Sequence, residues 1–159
     1  MDYYTQIVYT SRATFPLSAN PYQIEPEVAD ILEKARANNR NKRLVGVLCF
    51  GNGYFLQCLQ CLQCLQCLQC LQCLQCLQGG IDEITELIDV LKKDTRHTDI
   101  KILSNKRIHQ KSFAKWYMKY AGVGSDIQAI LQQHKLSSFN PYQFNDAVLE
   151  SIIQHLSTS

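Results

Sequence analysis

The chain has 159 residues, of which 46% are hydrophobic and 19% charged, with a formal net charge of +2. That length suits one domain with its own core, and the composition is that of a globular protein without the ~20-residue apolar run of a membrane span. No basic stretch followed by an apolar stretch opens the sequence, so a cytoplasmic protein is expected. The small charge, and the asparagines that interrupt the basic stretch Arg36 to Arg43, make a nucleic-acid surface unnecessary.

In chain order, Tyr4 to Thr10 reads as a first strand and Pro16 to Pro21 as a loop. Glu25-Pro26 opens a helix in which Val28, Ile31, Leu32 and Ala35 form one apolar stripe, with Pro26 suited to the first turn. Arg43 to Phe50 and Tyr54 to Leu59 flank Gly51-Asn52-Gly53, which predicts an antiparallel hairpin.

Seven of the eight cysteines (Cys58, Cys61, Cys64, Cys67, Cys70, Cys73 and Cys76) belong to a Cys-Leu-Gln tract over 58–78. Its C-x-x-C spacings could supply thiolates to zinc or an iron-sulfur cluster. Such sites need backbone turns, however, and no Gly or Pro occurs between Phe55 and Gly79. A period of three matches neither the strand's two nor the helix's 3.6, so no face is consistently apolar. Six extra triplets would lengthen a strand by ~60 Å, far beyond the ~15 Å radius of gyration of such a domain. Removing them leaves 159 − 18 = 141 residues and one ordinary strand running into a helix. The tract is therefore expected to be an engineered expansion, or one segment written several times over, and not a metal site. An intact mass lower by six triplets would show the latter.

After Gly79-Gly80, the residues Ile81, Ile84, Leu87, Ile88 and Leu91 predict a second helix ending at Lys92-Lys93. Ile100 to Leu103 and Trp116 to Tyr120 predict two more strands. The order β-α-β-β-α-β-β is close to a ferredoxin-like α+β sheet with two helices on one face. Ser125 and Gln128 resemble a capping box, and Ile127, Ile130 and Leu131, then Phe144, Val148, Ile152 and Leu156, predict two helices to cover the other face. The expected division is a domain over 1–122 and a helical extension over 123–159.

Such a fold does not give a function. The residues Ile-Val-Tyr9-Thr-Ser, Ala-Asn38-Asn39, Leu-Val-Gly46-Val-Leu, Gly-Tyr-Phe-Leu-Gln57, Arg96-His97 and Phe-Ala-Lys-Trp116-Tyr-Met118, in this order and spacing, resemble the BLUF family of blue-light sensors. The resemblance covers Tyr3 to Tyr120. It implies a flavin, FAD with FMN or riboflavin as alternatives, between the two helices. It further implies Tyr9 and Gln57 beside the reactive edge of the ring, and Asn39, with Asn38 next to it, on the polar edge. Ile31 and Leu91 would flank the ring, Arg96 and His97 would stand near its pyrimidine side, and Trp116 and Met118 would relay the signal. Gln60, or Gln78 after the tract, stands where the family often has Glu.

Tyrosine can give up an electron and a proton, whereas a glutamine amide is both acceptor and donor, so its reorientation reverses what it offers a neighbour. The implied protein is a light sensor, not an enzyme, read by an unidentified partner protein and expected to form homo-oligomers. A flavin-dependent redox enzyme would need a substrate site beside the ring, and no such constellation is visible. A non-catalytic ferredoxin-like interaction module is the other alternative. The aromatic pattern of an RNA-binding member of that fold is absent.

Overall fold

A computed structural model describes residues 3–17, 24–42, 44–63, 92–109, 113 and 118–158. Its elements are β1 (Tyr3–Ala13), α1 (Pro26–Lys42), β2 (Leu44–Gly51), β3 (Tyr54–Gln63), β4 (His97–Ile108), β5 (Lys119–Gly122), α2 (Ser125–Gln133), a short 3-10 helix (Pro141–Gln143) and α3 (Asp146–Thr158). The strands form one sheet in the order β4-β1-β3-β2-β5, with β5 parallel to β2 and the other pairs antiparallel. This is the ferredoxin-like arrangement with a fifth strand added.

The hairpin forms as its sequence predicts. Asn52 and Gly53 take φ of 53° and 79°, the left-handed pair that a two-residue turn requires to match the twist of its strands. Asparagine tolerates that region and glycine enters it without steric cost.

Alternation along the strands divides the core in two. Ile7, Tyr9, Leu48, Phe50, Phe55 and Leu59 point to the face covered by Val28 and Leu32 of α1. Val8, Val45, Val47, Cys49, Leu56 and Cys58 point to the opposite face. There Ile127 and Leu131 of α2 meet Val148, Leu149, Ile152 and Leu156 of α3, with Phe139 and Phe144 between them. The central strands are buried on both faces, which is why neither β2 nor β3 alternates apolar with polar residues. The helical extension thus packs as the second layer of the same sheet.

Several boundaries differ from the sequence expectation. The first strand runs on to Ala13 because Arg12 and Ala13 still pair with Thr98 and His97. The fourth, expected at Ile100 to Leu103, spans His97–Ile108 because it follows β1 along most of its length. The fifth, expected at Trp116 to Tyr120, spans Lys119–Gly122, so Met118 precedes it. The capping box is not formed. Gly124 is the cap of α2 in extended backbone with no side-chain cap, and Ser125 is already inside the helix. The expected second helix, except for Lys92 and Lys93 at its end, lies outside the described residues, as does the tract beyond Gln63. Among the described residues, no helix is long and apolar enough to cross a membrane.

Candidate functional site

The β1–β3 ladder places Tyr9 directly opposite Gln57 on the α1 face. The Tyr9 hydroxyl donates to Gln57 Oε1 at 2.7 Å, and the two residues are only 3% and 6% exposed. Burial raises the phenol well above the ordinary tyrosine range, so Tyr9 keeps its proton and is a fixed donor. Gln57 answers with its carbonyl oxygen, and its Nε2 donates to no other described residue. Around the pair lie Ile7, Leu48, Phe50, Phe55 and Met118, with Ile31 of α1 partly buried against them.

Met118 reaches this cluster from just before β5, and Arg36 Nε of α1 donates to its carbonyl oxygen at 2.9 Å. Met118 and Tyr9 therefore share one cluster, whereas Trp116 lies outside the described residues. Asn38 and Asn39 sit in the last turns of α1, and their side chains, like all of Leu91, lie outside the description.

Arg96 and His97 stand where β4 begins. Arg96 donates from Nε to Asp94 Oδ1 at 2.8 Å, and its Nη2 pairs with Asp94 Oδ2 at 2.6 Å. Its Nη1 donates to Asp30 of α1. Those hydrogen bonds hold the Asp94 carboxyl at about 2, against desolvation that acts the other way. His97 is buried, with Nδ1 2.9 Å from Ser11 Oγ and its ring edge-on to Phe55 at 5.8 Å. Arg96 thus ties α1 to β4, and His97 packs two residues along the sheet from Tyr9.

Nothing in the motifs of the sequence singles out Ser11, Asp30 or Asp94. Ser11 stands inside the quoted Tyr9 motif, and its spacing of two from Tyr9 was the available signal for a shared face. The short Asp94-Thr-Arg96 spacing was a similar local signal. Asp30 is 66 residues from Arg96 and had none.

On the other face, Gln60 Nε2 donates to Gln6 Oε1 at 2.8 Å, and both residues are buried. Cys58 is the one cysteine of the tract with a described side chain. It and Cys49 are buried free thiols that desolvation pushes up to about 12 each, so both are neutral thiols packed under α2 and α3.

A flavin suits this site. Its ring is flat and largely apolar with a carbonyl edge, and the α1 face offers an apolar cluster around a buried amide with donor capacity to give. The arrangement fits a cofactor-binding module on a ferredoxin-like sheet.

Residues 4–63 and 64–119 match the family described as sensors of blue-light using FAD, and the chain belongs to this BLUF family. It is a blue-light photoreceptor with a flavin cofactor. The structure resembles BlsA in its photo-activated state, at 25% identity and a TM-score of 0.72, over 98% of this chain and 96% of that one. It also resembles the dark state of BlrB, a BLUF protein, at 18% identity and a TM-score of 0.62, over 99% and 98% of the two chains. A bacterial light-regulated adenylyl cyclase matches at 22% identity and a TM-score of 0.53, over 98% of this chain but 35% of that protein. No curated protein matches the sequence at a significant level.

Proposed function

We propose that Tyr9 and Gln57 are the photoactive pair, with Tyr9 as electron and proton donor and Gln57 as a hydrogen-bond switch. The observation that carries this reading is the buried 2.7 Å contact from the Tyr9 hydroxyl to Gln57 Oε1. A bound flavin supplies the blue-light absorption and, when excited, the electron-accepting character. Among the described residues of this cluster Tyr9 is the fully buried phenol, Tyr120 being only partly buried against it, and the Tyr9 proton already points along a hydrogen bond to Gln57. Phenylalanine would match its shape but could supply no proton.

Gln57 sets the polarity of the pair. With Oε1 toward Tyr9 it accepts, and Nε2 is left to donate elsewhere. Rotation or tautomerisation of the amide exchanges these roles, so that the atom facing Tyr9 becomes a donor. In a dry apolar cluster such an exchange is a discrete event, because a mismatched buried amide costs far more there than in water.

The residues that would hold the flavin are Ile31 and Leu91 beside the ring, Asn39 with Asn38 at its polar edge, and His97 with Arg96 at the pyrimidine side. Met118, with Trp116, would carry the change away from the pair. The receiver is an unidentified partner protein that reads β5 and the helical layer, in a cytoplasmic sensor that forms homo-oligomers and turns over no substrate.

The test is spectroscopic. The purified protein, loaded with FAD, should absorb blue light and shift reversibly to longer wavelength on illumination. Tyr9→Phe should keep the colour and lose the shift. A normal photocycle in that variant would remove Tyr9 from its role.

A further inference from the structure

Edge strand β4 holds two more residues than the stretch of β1 it follows. Val8 pairs with Ser104 and Tyr9 with Ile102, which leaves Leu103 as one insertion. Thr10 pairs with Lys101 and Arg12 with Thr98, so Asp99 and Ile100 together oppose the single residue Ser11. This second bulge has a register consequence. An offset of one residue moves side chains to the other face of a sheet. Without the bulge Ala13 would meet Thr98; with it Ala13 meets His97, which turns toward Ser11 and Phe55 on the face of Tyr9.

The bulge is built on Asp99 at φ 55°, in the left-handed region where glycine is at ease and aspartate is tolerated. Its carbonyl oxygen accepts from the hydroxyl of Tyr142, in the 3-10 helix Pro141–Gln143. The Tyr142 ring is fixed on two sides. Arg12 lies 5.1 Å from its centroid, and the Tyr54 ring meets it edge-on at 5.9 Å. The Arg12 guanidinium also reaches the Asp99 carboxylate at 3.5 Å. Below the ring, the side chain of Asn140 accepts from the Tyr142 backbone N–H at 3.1 Å.

We propose that Tyr142 is a positioning residue for the flavin site: its hydroxyl holds the Asp99 bulge, and the bulge keeps His97, with Arg96 beside it, on the side of the sheet that carries Tyr9. The inference rests on the reading of Arg96 and His97 as flavin-side residues. It gives the segment between α2 and α3 a direct hold on the light-sensing face, separate from the relay through Met118. A movement of the helical layer that withdraws Tyr142 would loosen the bulge, and a change at the bulge would be felt at Tyr142.

The test uses the full-length, flavin-loaded protein and the variant Tyr142→Phe, which keeps the ring between Arg12 and Tyr54 and removes only the hydroxyl. Dark recovery after a blue pulse should change at least about threefold, and amide exchange in the 97–102 segment should rise by about tenfold or more, as for a freed local opening. Asp99→Gly, which takes the left-handed conformation without strain, should return both quantities to within about twofold of wild type when added to Tyr142→Phe. Unchanged recovery and exchange in Tyr142→Phe, or no rescue by Asp99→Gly, would overturn the proposal. The exchange experiment is repeated on flavin-free protein, where the bulge should still loosen in Tyr142→Phe. If it does so while recovery of the loaded protein stays at the wild-type rate, the hold on the bulge stands and the assignment of Arg96 and His97 to the flavin side falls.

Discussion

Gln57 and Gln60 stand three residues apart on β3 and so point to opposite faces of the sheet, where each meets a partner directly across the ladder on β1. Gln57 accepts from Tyr9 on the α1 face, and Gln60 donates to Gln6 on the face of the helical extension. The odd period of the Cys-Leu-Gln triplet, which suits no amphipathic strand, here supplies one amide to each side. A strand buried on both faces can use such a period, because it needs no solvent side.

Gln57→Leu removes the acceptor of a buried hydroxyl. Leaving Tyr9 unpaired should cost about 1–3 kcal/mol of stability, and the light-induced shift should vanish. The tract offers an apparent escape, because a slide of β3 by three residues would bring Gln60 opposite Tyr9 with the same neighbours. That slide would also put Cys58 in the place of Phe55, which is 1% exposed. Loss of a buried phenylalanine costs about 3–5 kcal/mol and re-pairing Tyr9 returns about 1–3 kcal/mol, so the slipped register should lie about 2 kcal/mol higher and be populated at only a few per cent. A residual shift of more than about a quarter of the wild-type amplitude in Gln57→Leu, measured by difference absorption, would show that the register is not held by Phe55.

What was legible in the sequence is what local chemistry dictates. The hairpin followed from Gly51-Asn52-Gly53, α1 from one apolar stripe behind Pro26, and the second layer from the apolar stripes of Ile127 to Leu131 and Phe144 to Leu156. The pairing of Tyr9 with Gln57 was legible only through family resemblance, since nothing local relates residues 48 positions apart. The length of β4 was hidden because an edge strand tolerates Thr98, Asp99, Lys101, Asn105 and Lys106, and because its two bulges break the alternation that a strand pattern relies on. The Asp30–Arg96 and Gln6–Gln60 contacts are long-range as well. Ser125 misled as a cap because the chain enters α2 one residue earlier, through Gly124.

Gly46 of β2 stands where β3 leaves no room for a side chain. A Cβ built there would lie 2.1 Å from the backbone oxygen of Cys58, and neither backbone can yield without opening the ladder. Gly46→Ala should therefore destabilise the protein by more than ~4 kcal/mol, in the range reserved for a clash in the core. Urea unfolding measures it, and a loss below ~1 kcal/mol would mean that the strands can separate locally.

Acid stability should carry the mark of Asp94. Its carboxyl is held at about 2, chiefly by the side-chain hydrogen bond from Arg96. A folded value below the ordinary ~4 stabilises the fold fully above that value, and the contribution fades as pH falls toward about 2. Arg96→Gln should let Asp94 titrate near its ordinary value and move acid unfolding to higher pH. Asp30 should rise less, because its larger hydrogen-bond contribution comes from Lys34, at 3.0 Å, which the substitution leaves in place. Carboxyl-carbon NMR titration separates the two, and an unmoved Asp94 would show that Arg96 is not its main partner.

The Gln6–Gln60 pair gives the sharpest energetic test, because both residues are at most 4% exposed. Gln60→Leu removes the donor that reaches Gln6 Oε1, and Gln6→Leu removes the Gln6 acceptor that Gln60 Nε2 meets. Each should cost about 1–3 kcal/mol. The double variant, in which neither amide is stranded by the other, should lose less than the sum by about 0.5–3 kcal/mol. Chemical denaturation of the four proteins yields this coupling directly, and strict additivity would mean that the pair contributes no mutual stabilisation. Since it lies across the sheet from Tyr9 and Gln57, all three variants should keep the light-induced shift. If Gln60→Leu abolished that shift while the protein remained folded and coloured, the two faces of β3 would have to act as one switch.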